Sequence, residues 1–169
     1  MKITKIILRG LLLALALYCG LLLIAGGIIS GAFFNPRISP RQMERIFIED
    51  YDLLRVVVNY LVNSEHTSIH FSPTVDKGYM SVHSRSLGVR HISISDENVS
   101  DAIEELRTRG YRIISRDIDM IRFLRWSMVG RGRGILYLFD GSAPDTTIFT
   151  FFTMLEPLSK DGWFFYEEN

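Results

Sequence analysis

Cysteine is almost absent from this chain of 169 residues. The single one, Cys19, lies inside a long apolar stretch near the N-terminus. The rest of the chain therefore has no thiol for a disulfide, a zinc knuckle or cysteine-based nucleophilic catalysis. The sequence also lacks a G-x-S-x-G elbow and an S-x-x-K motif, which are common settings for a nucleophilic serine. We therefore expect a protein that is not an enzyme and that carries no cofactor.

An excess of charge of one sign is lacking as well. The chain has 19 basic and 19 acidic residues, and its formal net charge is zero. With this balance, the chain has neither the excess of basic residues that is typical of nucleic-acid-binding proteins nor the excess of acidic residues of a polyanion. No Gly-Lys-Ser or Gly-Lys-Thr sequence is present, so a phosphate-binding P-loop is not supported. We expect no nucleic-acid partner.

Charged residues are missing altogether from Leu11 to Phe34. This run exceeds the roughly 20 apolar residues that cross a hydrocarbon core of about 30 Å. It predicts a transmembrane helix at 11–34, between a basic tail at 1–10 and a soluble domain at 35–169. The alternative is a cleaved secretory signal, with the small residues Ser30-Gly31-Ala32 near the cleavage point. Length favours retention, because the apolar core of a signal is typically about 7 to 15 residues.

Basic residues flank the predicted span in equal number. Three stand before it (Lys2, Lys5 and Arg9) and three after it (Arg37, Arg41 and Arg45). The first three belong to a short tail without acidic residues, which favours an N-terminus inside the cell. We therefore expect the protein in the cytoplasmic membrane, with its C-terminal domain outside.

Four small residues project from one side of the predicted span: Ala16, Gly20, Gly27 and Gly31. The last two have the GxxxG spacing that allows two helices to approach closely. The stripe predicts either a homodimer through the transmembrane helix or docking on a larger membrane partner. The alternative is that glycine is simply frequent in membrane helices.

Two helices are predicted in the soluble domain. Ser39-Pro40-Arg41-Gln42 has the pattern of a capping box with proline at the first helical position. An apolar stripe with steps of four and three residues then continues to about Asn63: Phe47, Tyr51, Leu54, Val58 and Leu61. A second helix follows the candidate caps Ser95 and Asp96 and ends before Gly110.

Eight short segments have strand character. They are Ser68–Phe71, Tyr79–His83, Val89–Ile94, Tyr111–Ser115, Met120–Met128, Ile135–Phe139, Thr147–Phe152 and Trp163–Tyr166. Short connections with turn residues favour antiparallel pairing. We therefore predict an α+β fold in which two helices cover one face of a largely antiparallel sheet. The aromatic residues of the last segment are expected to close the core, and exposure there would instead create an interaction patch.

All four histidines fall between His66 and His91. Three of them, His70, His83 and His91, lie on predicted neighbouring strands and are weak candidates for a metal site. No H-x-H or HExxH spacing supports this, and strand register alone decides whether the three share a face. We expect ordinary surface or half-buried histidines. Convergence on one pocket would instead favour a small membrane-tethered enzyme with a histidine-based site.

Arginine recurs in two places. In Gly130-Arg131-Gly132-Arg133-Gly134, the side chains of Arg131 and Arg133 are candidates for contact with an anion or a partner, although a flexible hairpin loop is the plainer interpretation. Binding of a polyanion there would indicate a ligand- or cell-wall-binding sensor module. A second set alternates with apolar residues, which indicates the wet face of a half-buried sheet: Arg112, Arg116, Arg122 and Arg125.

These patterns favour a single-pass, membrane-anchored interaction module over an enzyme. The expected role is that of an accessory subunit, an inhibitor or an adaptor of the bacterial cell envelope. Its expected partners are the membrane and another membrane or envelope protein.

Overall fold

A computed structural model describes residues 38–72, 76–84, 88–128, 131–141 and 151–169. The predicted span at 11–34, with its stripe of Ala16, Gly20, Gly27 and Gly31, lies outside these residues. Among the described residues, no helix has both the length and the apolar character needed to cross a membrane. Residues from Ser39 onward form one compact unit.

Both predicted helices are confirmed. Helix α1 is Pro40–Val62, and helix α2 is Glu97–Thr108. The capping box of α1 is formed, because the backbone N–H of Gln42 donates to Ser39 Oγ and the backbone N–H of Ser39 donates to Gln42 Oε1. Asp96 caps α2 by accepting from the backbone N–H groups of its second and third residues. The side chains therefore satisfy backbone donors that have no partner within the helices.

The strands form one eight-stranded sheet. They are β1 Ile69–Phe71, β2 Tyr79–Ser84, β3 Gly88–Ser93, β4 Ile113–Arg116, β5 Met120–Met128, β6 Arg131–Leu138, β7 Phe152–Pro157 and β8 Trp163–Glu168. Their order is β3-β2-β1-β4-β5-β6-β8-β7, and every neighbouring pair is antiparallel. The predicted α+β fold is thus confirmed as two helices on an antiparallel sheet.

The glycine–arginine string departs from its prediction. It was expected as a loop, whereas Arg131 to Gly134 belong to strand β6. These residues pair with β5, and Gly132 to Gly134 also pair with β8. At Gly134 the approach to β5 is so close that a Cβ would lie 2.0 Å from the backbone oxygen of Phe123. Glycine permits this contact beside a bulge in β5, where the register shifts between Leu124 and Trp126.

Strand β7 also lies later in the sequence than predicted. It runs from Phe152 to Pro157, and residues 147–150 of the predicted strand lie outside the described residues. Most of its side chains are at least partly exposed, because it is an edge strand beside β8. Such a strand lacks the regular apolar alternation of a half-buried strand, and its terminal proline is tolerated at an edge.

The helices pack on one face of the sheet. The Phe47 ring on α1 lies 5.2 Å from the Trp163 ring on β8, measured between centroids. Trp163 in turn stacks on Phe123 of β5 at 6.0 Å. The four aromatic residues from Trp163 to Tyr166 are all buried, which confirms their expected role in closing the core.

The opposite face differs between its two halves. Over β5 to β8 it buries an apolar cluster: Met120, Leu124, Leu136, Leu138, Phe152, Phe164 and Tyr166. Over β1 to β4 the same face carries mostly polar or exposed side chains: Tyr79, Ser81, His83, Val89, His91, Ser93, His70 and Ser115. We call this second surface the open face.

Candidate functional site

A row of polar side chains crosses the open face. His91 of β3 lies opposite Ser81 of β2, and Ser81 lies opposite His70 of β1. The row continues from His70 to Ser115 of β4 and then to Arg122 of β5. Residues directly opposite one another project from the same face of a sheet. We call these five residues the polar row.

The sequence neighbours of the polar row explain why it faces away from the helices. Ile69, Val82, Ile114 and Ile121 each stand next to a member of the row and are buried. Because successive side chains of a strand alternate between faces, burial of these residues on the helix side places the polar row on the opposite face, where Ser81 and Ser115 are themselves buried.

Two histidines are in contact on the open face. His83 lies two residues beyond Ser81 on β2, so its side chain shares the face of the row. The His70 and His83 rings are 6.2 Å apart between centroids and meet at 74°. His70 is half-buried, whereas His83 is exposed.

The environment of His70 favours its neutral form. Burial lowers the pKa of His70, and the positive charges of His83 and Arg122 lower it further. The carboxylate of Asp117 acts in the opposite direction and is the smallest of these effects. His70 is therefore a neutral imidazole at pH 7 that resists protonation in the free protein.

The third histidine of the open face contacts a serine. Ser81 Oγ and His91 Nδ1 are 3.4 Å apart, with donor and acceptor set by the tautomer of the ring. Ser81 is buried and His91 is exposed. Sequence reasoning identified all three histidines but could not place them on one face, because their register was unknown.

The three histidines share a face but do not all line one groove. His83 lines a groove at the strand ends together with His66 and Asp117, whereas His70 and His91 are not among the residues lining it. Throughout the described ranges, no group of three histidine, cysteine or acidic side chains is arranged to hold a metal ion. The convergence on one pocket that would favour a histidine-based enzyme is thus not seen for these residues.

Arg122 ends the polar row in an internal charge network. Its Nη2 lies 3.3 Å from Asp117 Oδ2, and its Nη1 lies 3.2 Å from Glu168 Oε2. Two carboxylates therefore share one guanidinium, and this network has a net charge of −1.

The other arginines of this set do not share one wet face, and that interpretation was wrong. Arg116 lies opposite Ile121 on the helix side and is buried. Its Nη1 donates to the backbone oxygens of Ser64 at 2.8 Å and His66 at 2.5 Å. Burial lowers the pKa of Arg116. This arginine anchors the segment between α1 and β1.

Arg131 and Arg133 occupy different environments. Arg131 is exposed, whereas Arg133 is only 8% exposed. Arg133 Nη2 donates to Glu167 Oε1 at 2.8 Å, and its guanidinium lies 5.3 Å from the centre of the Trp126 ring. Contact of these arginines with an anion or a partner stays a prediction.

A buried carboxylate links the helices to the sheet and was missed by the sequence analysis. Asp50 is 3% exposed and accepts from Arg109 Nη1 at 2.7 Å, from Tyr111 Oη at 2.9 Å and from Arg125 Nη1 at 3.2 Å. The sequence indicates that Asp50 is buried, because it lies three residues after Phe47 and four before Leu54 and so belongs to the apolar stripe of the helix. Burial, followed by the negative charge of Asp50, raises the pKa of Tyr111 well above its usual value.

No family model, no curated protein and no solved structure matches this chain. The function is therefore inferred from the geometry of the described residues and from the sequence.

Proposed function

We propose that this chain is a single-pass membrane protein that holds a non-enzymatic interaction module outside the cytoplasmic membrane. The open face of the module binds another membrane or envelope protein, as expected of an accessory subunit, an inhibitor or an envelope adaptor. One observation carries the proposal: the face opposite the helices buries apolar side chains over β5 to β8, whereas over β1 to β4 it carries mainly polar side chains and is exposed along β2 and β3, although Ser81 and Ser115 are buried.

The anchor rests on the sequence. The uncharged run at 11–34 is long enough to cross a bilayer. Only residues 35–39 separate it from helix α1, which begins at Pro40. A tether of this length keeps the module beside the membrane and within reach of other membrane proteins.

The composition of the open face supports protein binding. Val89 is 56% exposed and Tyr79 is 47% exposed, and both project from this face beside His83 and His91. Tyrosine among polar side chains is typical of protein–protein interfaces. Strand β3 is also an edge of the sheet, so one row of its backbone groups faces away from β2. The partner therefore has side-chain and backbone contacts available in the same place.

A histidine-based enzyme is the second candidate, and the contact between His70 and His83 is the observation in its favour. Catalysis at this pair requires a substrate site at which further polar groups converge. Among the described residues, the pair lies on the surface of the sheet. Such a surface suits the binding of a partner better than it suits catalysis.

Site-specific photo-crosslinking in intact host cells tests the proposed function. The photoreactive residue p-benzoylphenylalanine is placed at Val89 or Tyr79 of the full-length chain, and at Ile48 as a control. Ile48 is also an exposed apolar residue, 61% exposed, but it lies on helix α1. We expect a discrete crosslinked product from the open-face positions only, with a membrane or envelope protein identified in it by mass spectrometry. Equal products from all three positions, or none from any of them, would contradict the proposal.

A further inference from the structure

We propose that strand β3 pairs with β3 of a second copy of this chain, so that two domains share one continuous antiparallel sheet. The inference goes beyond the proposed function, because it assigns an occupant to the edge of the sheet. It rests on the membrane anchor of that proposal but not on what the open face binds. In the dimer, the partner protein meets the side chains of two adjoining open faces.

The backbone of β3 presents one row of hydrogen-bonding groups to the outside. Among the described residues, β3 has a single neighbouring strand, β2. The N–H of Ile94 donates to the oxygen of Gly78 at 2.7 Å, just beyond the paired ends of the two strands. Successive residues of an antiparallel strand bond alternately to its two sides, so the even-numbered residues of β3 bond to β2. The N–H and C=O groups of Val89, His91 and Ser93 therefore point away from the sheet.

The two edges of the sheet differ in how well they can accept another strand. Edge strand β7 contains Pro157, and its register with β8 shifts between Phe152 and Met154. Proline and an irregular register both hinder the pairing of an edge with another chain. Strand β3 has no proline and no lysine, pairs with β2 in an unbroken register over its 6 residues and carries one charged side chain, that of Arg90. The edge at β3 is therefore the one suited to pairing.

Symmetry and the anchor favour the same edge of a second copy as the occupant. Pairing of β3 with β7 of another copy would build an open filament, whereas pairing of β3 with β3 closes after two copies. The twofold axis of such a pair is perpendicular to the sheet, so the helix layers of both copies lie on the same side of it. Helix α1 belongs to that layer and begins at Pro40. Both chains therefore enter their domains from one side of the shared sheet, as two copies anchored in one membrane do.

One register pairs all the outward-facing residues of β3. It places His91 opposite His91 of the second copy, and Val89 opposite Ser93 of the second copy. These residues then exchange about six backbone hydrogen bonds across the twofold axis. An axis at Arg90 would instead set two guanidinium groups opposite each other, and like charges in that position are destabilising. An axis further along the strand would leave Val89 opposite a residue beyond the end of β3.

Introduced cysteines test this register in native membranes. The full-length chain carries Cys19→Ala, so that the introduced cysteine is its only thiol. Opposite residues that exchange backbone bonds have Cα atoms about 5.5 Å apart, which is within the span of a disulfide. We expect oxidation with copper phenanthroline to link two copies of the variant His91→Cys. It should also link Val89→Cys to Ser93→Cys when two differently tagged copies are coexpressed.

The variant Val89→Cys expressed alone is the matched control. Its cysteine lies on the same exposed strand, but in this register its Cα is more than about 13 Å from that of its own copy, beyond the reach of a disulfide. We expect a yield of dimer several-fold lower than that of His91→Cys. Equal yields from the two variants, or no dimer from His91→Cys, would overturn the inference. A disulfide to a different protein in place of the dimer would assign the edge to that protein and would also overturn it.

Proline at the edge separates backbone pairing from side-chain contact. His91→Pro removes an outward N–H, and proline is tolerated at such a position of an edge strand. It should weaken the dimer by at least about tenfold, because each copy loses one of the shared hydrogen bonds, whereas His91→Ala should change the affinity little. Sedimentation equilibrium of the full-length chain in uncharged micelles measures the affinity, and urea unfolding checks the fold. If folded His91→Pro dimerises as tightly as the original chain, the inference is wrong. If His91→Pro does not fold, the cysteine variants decide alone.

Two combinations of results distinguish this inference from the proposed function. Equal disulfide yields from His91→Cys and Val89→Cys, together with photo-crosslinks from Tyr79 to another protein, would overturn the dimer and leave the interaction module in place. Disulfides at the expected positions, with no photo-crosslink from Tyr79 to another protein, would uphold the dimer and contradict the proposed function.

Discussion

Replacing Asp50 by alanine should strongly destabilise the domain. The carboxylate is 3% exposed and joins the end of α2, the start of the β4 segment and the bulge of β5 through Arg109, Tyr111 and Arg125. Removal of one member of a buried ion pair typically costs about 3–5 kcal/mol, because the remaining charges lose their partner.

The exposure of the partners sets the expected value within that range. The side chains of Arg109 and Arg125 are 38% and 22% exposed, so water can solvate part of their charge after the substitution. Tyr111 is almost fully buried, at 1% exposure, and its hydroxyl loses its acceptor. An unsatisfied buried hydroxyl alone costs about 1–3 kcal/mol. We therefore expect Asp50→Ala to lower the free energy of unfolding by about 3 kcal/mol, at the lower end of the usual range.

Asp52→Ala is the matched control on the same helix. Its side chain is 90% exposed and lies 3.8 Å from Arg55. An exposed ion pair of this kind contributes about 0–1 kcal/mol. Both substitutions remove one aspartate carboxylate from helix α1 and leave an alanine. They differ in whether the carboxylate that is removed is buried or exposed.

Urea unfolding of the full-length chain in micelles, followed by tryptophan fluorescence, measures the difference. Trp163 is a suitable probe because it packs between helix α1 and the sheet. A double-mutant cycle with Tyr111→Phe should give a coupling energy of about 1 kcal/mol or more, since the two side chains share a hydrogen bond. If Asp50→Ala and Asp52→Ala unfold at the same urea concentration, the network around Asp50 does not stabilise the fold as described.

Three further predictions rest on the structure, and a fourth rests on the sequence. The pKa of His70 is lowered in the folded state, so this residue should make the domain less stable as the pH falls through about 6.5, the usual histidine value. The variant His70→Gln should reduce that loss of stability in urea unfolding curves recorded from pH 8 to 5. Gly134→Ala should lower the free energy of unfolding by about 3 kcal/mol, because the new methyl group would collide with the backbone of β5, and a normal urea midpoint would refute this. Arg133→Ala should cost about 2 kcal/mol in the same assay through the loss of its bond to Glu167, whereas Arg131→Ala should change little. A tag placed after Asn169 should be removed from the full-length membrane band when protease is added to intact cells or protoplasts. A protected band would show that the C-terminal domain lies inside the cell. A shortened product in the medium would show that the N-terminal segment is cleaved.

Local sequence signals were sufficient for both helices and for several strands. The capping box at Ser39 and the cap at Asp96 mark helix starts, since each side chain binds backbone groups a few residues away. Strand β5 has the predicted bounds, Met120–Met128, because apolar and aromatic residues are frequent along it and turn-forming residues lie on both sides of it. These features depend on contacts that are near in sequence.

Features that depend on partners far along the chain were not predictable in the same way. Gly134 belongs to a strand because its backbone pairs with β5 and β8, and the sequence of β6 alone does not reveal those neighbours. The histidines were recognised as candidates, but only the register of β1 to β3 places them on one face. Asp50 could have been recognised from its position in the apolar stripe of α1. Its three partners could not, because they lie 59 to 75 residues away in the sequence.

The central claim is that a partner covers the open face in the membrane, and histidine labelling tests it most directly. Diethyl pyrocarbonate modifies accessible imidazoles, so its rate of reaction at His83 and His91 can be followed by mass spectrometry, with N-acetylhistidine added to each preparation as the control. We expect His83 and His91, both exposed in the domain, to react several-fold more slowly in native membranes than in the purified full-length chain, whereas N-acetylhistidine reacts at the same rate in both. Equal rates at the two histidines in the two preparations would show that the face is unoccupied and would contradict this claim.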